Sequence, residues 1–279
     1  MINIIYAVGL NLILGVAGQF SLGHAGFIAI GSYSGAILGK MINGLPGLFA
    51  GMAVGVVISV IVAFLVGLPT LRLKGDYLAI ATLGVAEIIR VAVTNMKITN
   101  GAAGISGIPL TNTWTITYIF LVVTTILILN YTFSSAGRAT YGVLQDEIAA
   151  ESMGVQVTKY KILAFVLGAA TASIGGTLSA TTLGAVTPGD FTFMKSIDVL
   201  IIVVFGGIGS FTGSFVAAVL LGIINLVLQP FGQLRMIIYA VALILIMIFR
   251  PGGLLGTWEF RFGTFLSNKL KKKEKGETE

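Results

Sequence analysis

The chain has 279 residues, of which 56% are hydrophobic and only 10% charged, with a formal net charge of +6 and no cysteine. A soluble domain would carry about a quarter charged residues, so a large soluble domain is excluded and an all-α, polytopic membrane protein is expected. The lack of cysteine also excludes disulfides, thiol chemistry and thiolate metal sites.

Hydropathy along the chain predicts spans near 2–17, 24–39, 47–68, 77–94, 115–132, 161–185, 197–206, 213–229 and 234–250. They form one membrane domain over 1–263, followed by a basic tail over 264–279. The first span has no basic n-region and no convincing cleavage site, so it reads as retained membrane sequence and not as a signal peptide. It runs into a glycine-rich interruption, GVAGQFSLGHAGFIAIGSYSG at 15–35, where Gln19, Ser21 and His24 stand between apolar helices. The spans 24–39 and 197–206 barely cover the hydrocarbon thickness and read as tilted, broken or re-entrant. GAILGK at 35–40 is followed by Met41, not by the Ser or Thr that a phosphate loop needs for magnesium.

On the span 77–94, Glu87 and Arg90 lie three apart and share a helical face. Charges at this depth face the protein interior or a pathway. A structural ion pair near the outer end of the helix is favoured over a proton relay or substrate contact. Further on, 137–161 is a charged island between long apolar stretches, holding Arg138, Asp146, Glu147, Glu151, Lys159 and Lys161. A helix is predicted over 143–153, with Leu144 and Ile148 four apart and Gly154 as its C-cap. The small residues Ala149 and Ala150 suit a helix that slots into a groove on a partner. A lipid-lying helix is the weaker alternative, because acidic side chains interrupt it.

A second glycine-rich break, FGGIGSFTGS at 205–214, follows Asp198, itself read as interfacial or as a helix N-cap. Paired breaks in two halves point to a transport site in repeat-built transporters. Tight hairpin connections at the cytoplasmic face are the equally weighted alternative. The tail, SNKLKKKEKGETE, reads as a polybasic anchor beside anionic lipid headgroups and not as a nucleic-acid site.

Lysine and arginine set the orientation. With the island inside, Arg72, Lys74, Arg138, Lys159, Lys161, Arg250, Arg261 and the tail lysines face the cytoplasm. Lys40, Lys97, Lys195 and Arg235 fall outside. The C-terminus is then cytoplasmic, and nine crossings put the N-terminus outside. No catalytic constellation stands out. His24 is the only histidine, which excludes a histidine metal cluster. Transport against a gradient would draw its ATP chemistry from another chain.

Six stretches resemble one family: GLNLILGVAGQFSLGHAGFIAIGSY (9–33), LRLKGDYLAIATLGVAEIIR (71–90), TNGAAGISGIP (99–109), GRATYGVLQDEIAAESMGVQVTKYKILAFVLGA (137–169), TPGDFTFMKSIDVLIIVVFGGIGSFTGSFVAA (187–218) and FRPGGLLG (249–256). Together they are similar to permease subunits of branched-chain amino acid ABC importers, and the SLGH form at 21–24 resembles the LivM-type member. Family members usually carry further hydrophobic sequence ahead of the GLNL stretch.

The resemblance implies an inner-membrane importer built from two paralogous permeases, two cytoplasmic ATP-binding subunits and an extracytoplasmic solute-binding protein. ATP and magnesium would be used by the ATPase subunits, with no cofactor in this chain. It further implies that Asp146, Glu147, Ala149, Ala150 and Gly154 belong to the segment coupling the permease to an ATPase. An apolar pathway interrupted by Asn11, Gln19, Ser21, His24 and Thr82 would suit a zwitterion with an aliphatic side chain. Related permeases serve urea, short amides and other amino acids. An ion-coupled secondary transporter using Glu87, Asp198 or His24 is the competing class.

Overall fold

The computed structural model describes residues 1–71, 73, 75–228, 241, 244 and 252–256. Most of the expected span 234–250 and the whole tail 264–279 lie outside the described residues. Within them the regular structure is helical, apart from one ribbon of two short strands. The helices are α1 (Ile2–Asn11), α2 (His24–Met41), α3 (Leu45–Thr70), α4 (Asp76–Asn95), α5 (Trp114–Phe133), α6 (Ser135–Gln145), α7 (Glu147–Ser152), α8 (Val157–Leu183), α9 (Phe193–Gly206) and α10 (Phe211–Val227). α1 continues into a π-helical turn at Leu12–Val16. Strands β1 (Ile105–Ser106) and β2 (Ala185–Val186) pair antiparallel.

The expected spans up to 229 coincide with helices to within a few residues. Among the described residues, however, four helices are long and apolar enough to cross a membrane: α3, α4, α5 and α8. A fifth crossing is reached only if α9 and α10, which meet at 119°, are taken as one broken span. The expected eight or nine are not reached by that measure among the described residues: α1, α9 and α10 are short, α2 is long enough but not apolar enough, and most of 234–250 lies outside those residues.

α8 is the central post. It packs against α1, α2 and α3, and small residues set the spacing. A Cβ on Gly31 of α2 would stand 2.6 Å from the Ser173 Cα of α8. Hydroxyls stitch the same seam: Ser32 donates to the Gly176 carbonyl at 2.9 Å, and Thr177 donates to the Gly31 carbonyl at 2.8 Å. Close backbone approach with Ser and Thr bridging is how helices associate where burial of apolar side chains brings no advantage over lipid. Large apolar side chains such as Phe64, Ile88 and Leu127 instead face outward.

The connections collect at two ends. At one, Lys40 donates to the Ser106 carbonyl, β1 pairs with β2, and the Ile108 amide donates to the Gly184 carbonyl at 3.0 Å. The segments 15–24, 134–157, 206–210 and 252–256 gather at the other.

Candidate functional site

The two glycine-rich breaks meet each other. α1 widens into its π-turn just where Gly15 lies against the second break, and a Cβ on Gly15 would stand 2.6 Å from the Gly209 Cα. Asn11, fully buried, ties the two together. Its Oδ1 accepts from the Gly209 amide at 2.9 Å, and its Nδ2 donates to Ser214 Oγ at 3.0 Å. A π-turn is often found at functional sites; here it directly follows the residue whose side chain holds the second break. In the second break, Gly207 and Gly209 have φ of +114° and +87°, which only glycine adopts readily. Ser210 caps α10 by accepting from the Gly213 amide at 3.0 Å. Residues 252–256 close over this break, the Leu254 amide donating to the Phe205 carbonyl at 2.8 Å.

The island reaches the same place from the other side. Leu144 of α6 covers Gly18, and Gln19 Nε2 donates to the Lys161 carbonyl of α8 at 3.0 Å. The expected continuous helix over 143–153 is in fact two helices. Asp146 adopts an extended φ of −156°, ends α6 and starts α7, accepting from the Ile148 and Ala149 amides at 2.8 and 3.1 Å. An aspartate at this point prefers capping to continuing a helix. Gly154 closes α7 with φ +81°, and the Gly154 and Val155 amides return to the Glu151 and Ala150 carbonyls, a Schellman motif. Glu147 forms an ion pair with Lys161, which is itself buried. Ala150 is buried, Ala149 is exposed, and Ile148 and Met153 are 76% and 83% exposed.

Ser21, His24 and Thr82 lie one turn further along. Thr82 Oγ1 accepts from the Leu22 amide at 3.0 Å, and Ser21 Oγ accepts from the Gly23 amide at 3.3 Å. The Ala25 amide at the start of α2 donates to Ser196 Oγ of α9 at 2.9 Å. His24 is buried, and neither ring nitrogen makes a hydrogen bond; the Tyr6 backbone interacts with the imidazole without reaching hydrogen-bond geometry. Asn11, Gln19, Ser21, His24 and Thr82 thus lie along the first break and its flank, all buried.

Glu87 and Arg90 do pair, with Arg90 Nε donating to Glu87 at 2.9 Å. Their side chains are 44% and 29% exposed, so the pair lies on the outward side of α4 and away from the breaks. Among the described residues, no group of three or more His, Asp or Glu side chains is placed to hold a metal ion.

Gly209, Ser214 and Lys161 were not singled out as site residues from sequence. The contacts that Gly209 and Ser214 make with Asn11, just ahead of the first break, bridge roughly two hundred residues, which no local pattern reports.

The family described as "Branched-chain amino acid transport system / permease component" matches residues 1–249. The chain belongs to that family. The permease is 37% identical to the high-affinity branched-chain amino acid transport system permease protein LivM of Salmonella typhimurium, over 91% of this chain and 68% of that protein. It is 24% identical to LivH of the same organism over 90% of both chains, and 28% identical to the ribose import permease protein RbsC of Escherichia coli over 88% of this chain and 81% of that one. No solved structure matches it.

Proposed function

We propose that this permease is one of two membrane subunits of an ATP-driven importer, and that it carries branched-chain or other aliphatic amino acids delivered by an external binding protein. α7 is the contact with a cytoplasmic ATPase subunit. The observation that carries this reading is the form of α7. It is a six-residue helix capped at both ends, joined to the buried breaks by Lys161 and Gln19, and it presents Ile148 and Met153 outward. Exposed large apolar side chains on a charged connection suit a docking surface and not a solvated loop.

The topology follows from the two ends. The end with α7, the breaks and 252–256 is cytoplasmic, because the island's basic residues gather there. α1 then enters from outside, and the C-terminal tail is inside. Nine crossings result when α1, α2, α9, α10 and the segment 234–250 are counted with the four long helices.

A pull-down of the tagged chain from mild detergent, read by mass spectrometry, tests the assembly. ATPase subunits and a second permease are expected. A pure homo-oligomer whose uptake collapses with a protonophore at constant ATP would overturn the reading in favour of an ion-coupled carrier. Uptake of leucine, urea and ribose by the reconstituted importer identifies the solute, with leucine expected.

A further inference from the structure

We infer that Lys161 is the positioning residue through which movement of α7 reaches the two glycine breaks. The inference rests on the proposed ATPase contact and goes beyond it by naming the path. Lys161 holds something at each of its ends. Its ammonium pairs with Glu147 at the first position of α7, and its carbonyl accepts the Gln19 amide hydrogen at 3.0 Å. Both grips are sheltered, since Lys161 and Gln19 are buried and Glu147 is two-thirds so. An ion pair and an amide withdrawn from water resist separation, because either partner left alone would be buried unpaired.

Gln19 passes the connection on. Its own amide donates to the Ile13 carbonyl at 2.9 Å, closing the π-turn at the foot of α1. The preceding turn carries Asn11, whose side chain holds Gly209 and Ser214 of the second break. A displacement of α7 therefore has a continuous line to follow: Glu147, Lys161, Gln19, the π-turn, Asn11, Gly209. Leu144 of α6, seated on Gly18, keeps the line from slipping sideways. The elements at either end are suited to move. α7 is short, and the breaks bend at glycines with positive φ. A physical coupling route needs both contiguity and elements that can take more than one arrangement.

The test uses the full complex with its ATPase subunits and partner permease, reconstituted in vesicles, measuring uptake and ATP hydrolysis together. Lys161→Met keeps the length and apolar stem of the side chain and removes the charge. Gln19→Leu keeps the volume and removes the donor. Each is expected to leave the complex assembled and to lower uptake per ATP hydrolysed at least tenfold, and the double variant is expected to be no worse than the more severe single. Lys161→Arg, which keeps the ion pair, is expected to stay within twofold of the unmodified protein. Unchanged coupling would overturn the inference, as would uptake and hydrolysis falling together in proportion to folded protein, or multiplicative losses in the double variant. If Lys161→Met does not assemble, Gln19→Leu decides alone, by the same ratio. Failure of the unmodified chain to recover ATPase subunits would instead sink the proposed function, and this inference with it.

Discussion

α8 and α5 are both long and apolar enough to cross a membrane, yet 61% of α8's most apolar stretch is buried within the protein against 22% for α5. Their sequences differ in kind. α8 runs through GAATASIGGTLSATT, small and hydroxylated, whereas α5 runs through IFLVVTTILIL, large and oily. In water the larger apolar helix would be the buried one. In a bilayer lipid solvates large apolar groups as well as the protein does, so the interior goes to side chains that let backbones approach.

The largest expected effect breaks the α8 side of this contrast. Gly31→Val would drive a branched side chain into the Ser173 backbone, which cannot step aside. Overpacking of this kind costs roughly 1–3 kcal/mol where side chains can yield, and a backbone obstacle puts it at or above the upper end. The expected outcome is loss of monodisperse protein in detergent size-exclusion chromatography. Next is Asn11→Leu, which leaves the Gly209 amide and the Ser214 hydroxyl without the asparagine. Ser214 keeps its bond to the Ser210 carbonyl, so the Gly209 amide is the group left unsatisfied; at about 1–3 kcal/mol for such a group, a clear fall in thermal midpoint and a loss of uptake are expected. Gly154→Ala is milder. A positive φ costs a side-chain-bearing residue about 1 kcal/mol, and the expected readout is weaker ATPase recovery in a pull-down with bundle stability nearly unchanged. Glu87→Ala and Arg90→Ala should each lower the midpoint more than the charge-neutral Glu87→Gln/Arg90→Gln pair does, because a single change leaves an uncompensated charge on α4. Smallest of all, Leu127→Ala on the outward side of α5 should fall within about 0.5 kcal/mol of no effect. A large loss there would show that the exposed face of α5 is covered by another subunit.

The same contrast explains how far the sequence could be read. Hydropathy places α3, α4, α5 and α8 to within a few residues, because a span is a local property of about 20 residues. The Glu87–Arg90 pair and the Gly154 cap follow from local rules as well. The split of the island's helix at Asp146 is local too, but there capping and helix continuation compete over a single residue, and capping prevails. What sequence could not supply is the meeting of 15–24 with 206–210. Both breaks are visible as glycine-rich interruptions, yet nothing in either says that Asn11 would reach Gly209. Lys161 escaped notice for another reason. As a lysine in a charged loop it reads as a positive-inside residue, and only burial distinguishes it from Lys159, which lines an open groove beside α3.

The ribbon of β1 and β2 joins the loop after α4 to the loop after α8 through main-chain atoms at Ile105, Ser106, Ala185 and Val186. Main-chain pairing itself is indifferent to the side chains attached, so the exposed positions Ser106 and Ala185 can change while the shape persists, whereas Ile105 and Val186 are buried in the core beneath. Gly104 and Gly184, with φ of +70° and +74°, are constrained as well, the first pressed against the Val186 carbonyl. The face opposite α7 can therefore be recoloured by substitutions at its exposed positions that leave the bundle beneath it undisturbed, provided those two glycines and the two buried side chains stay.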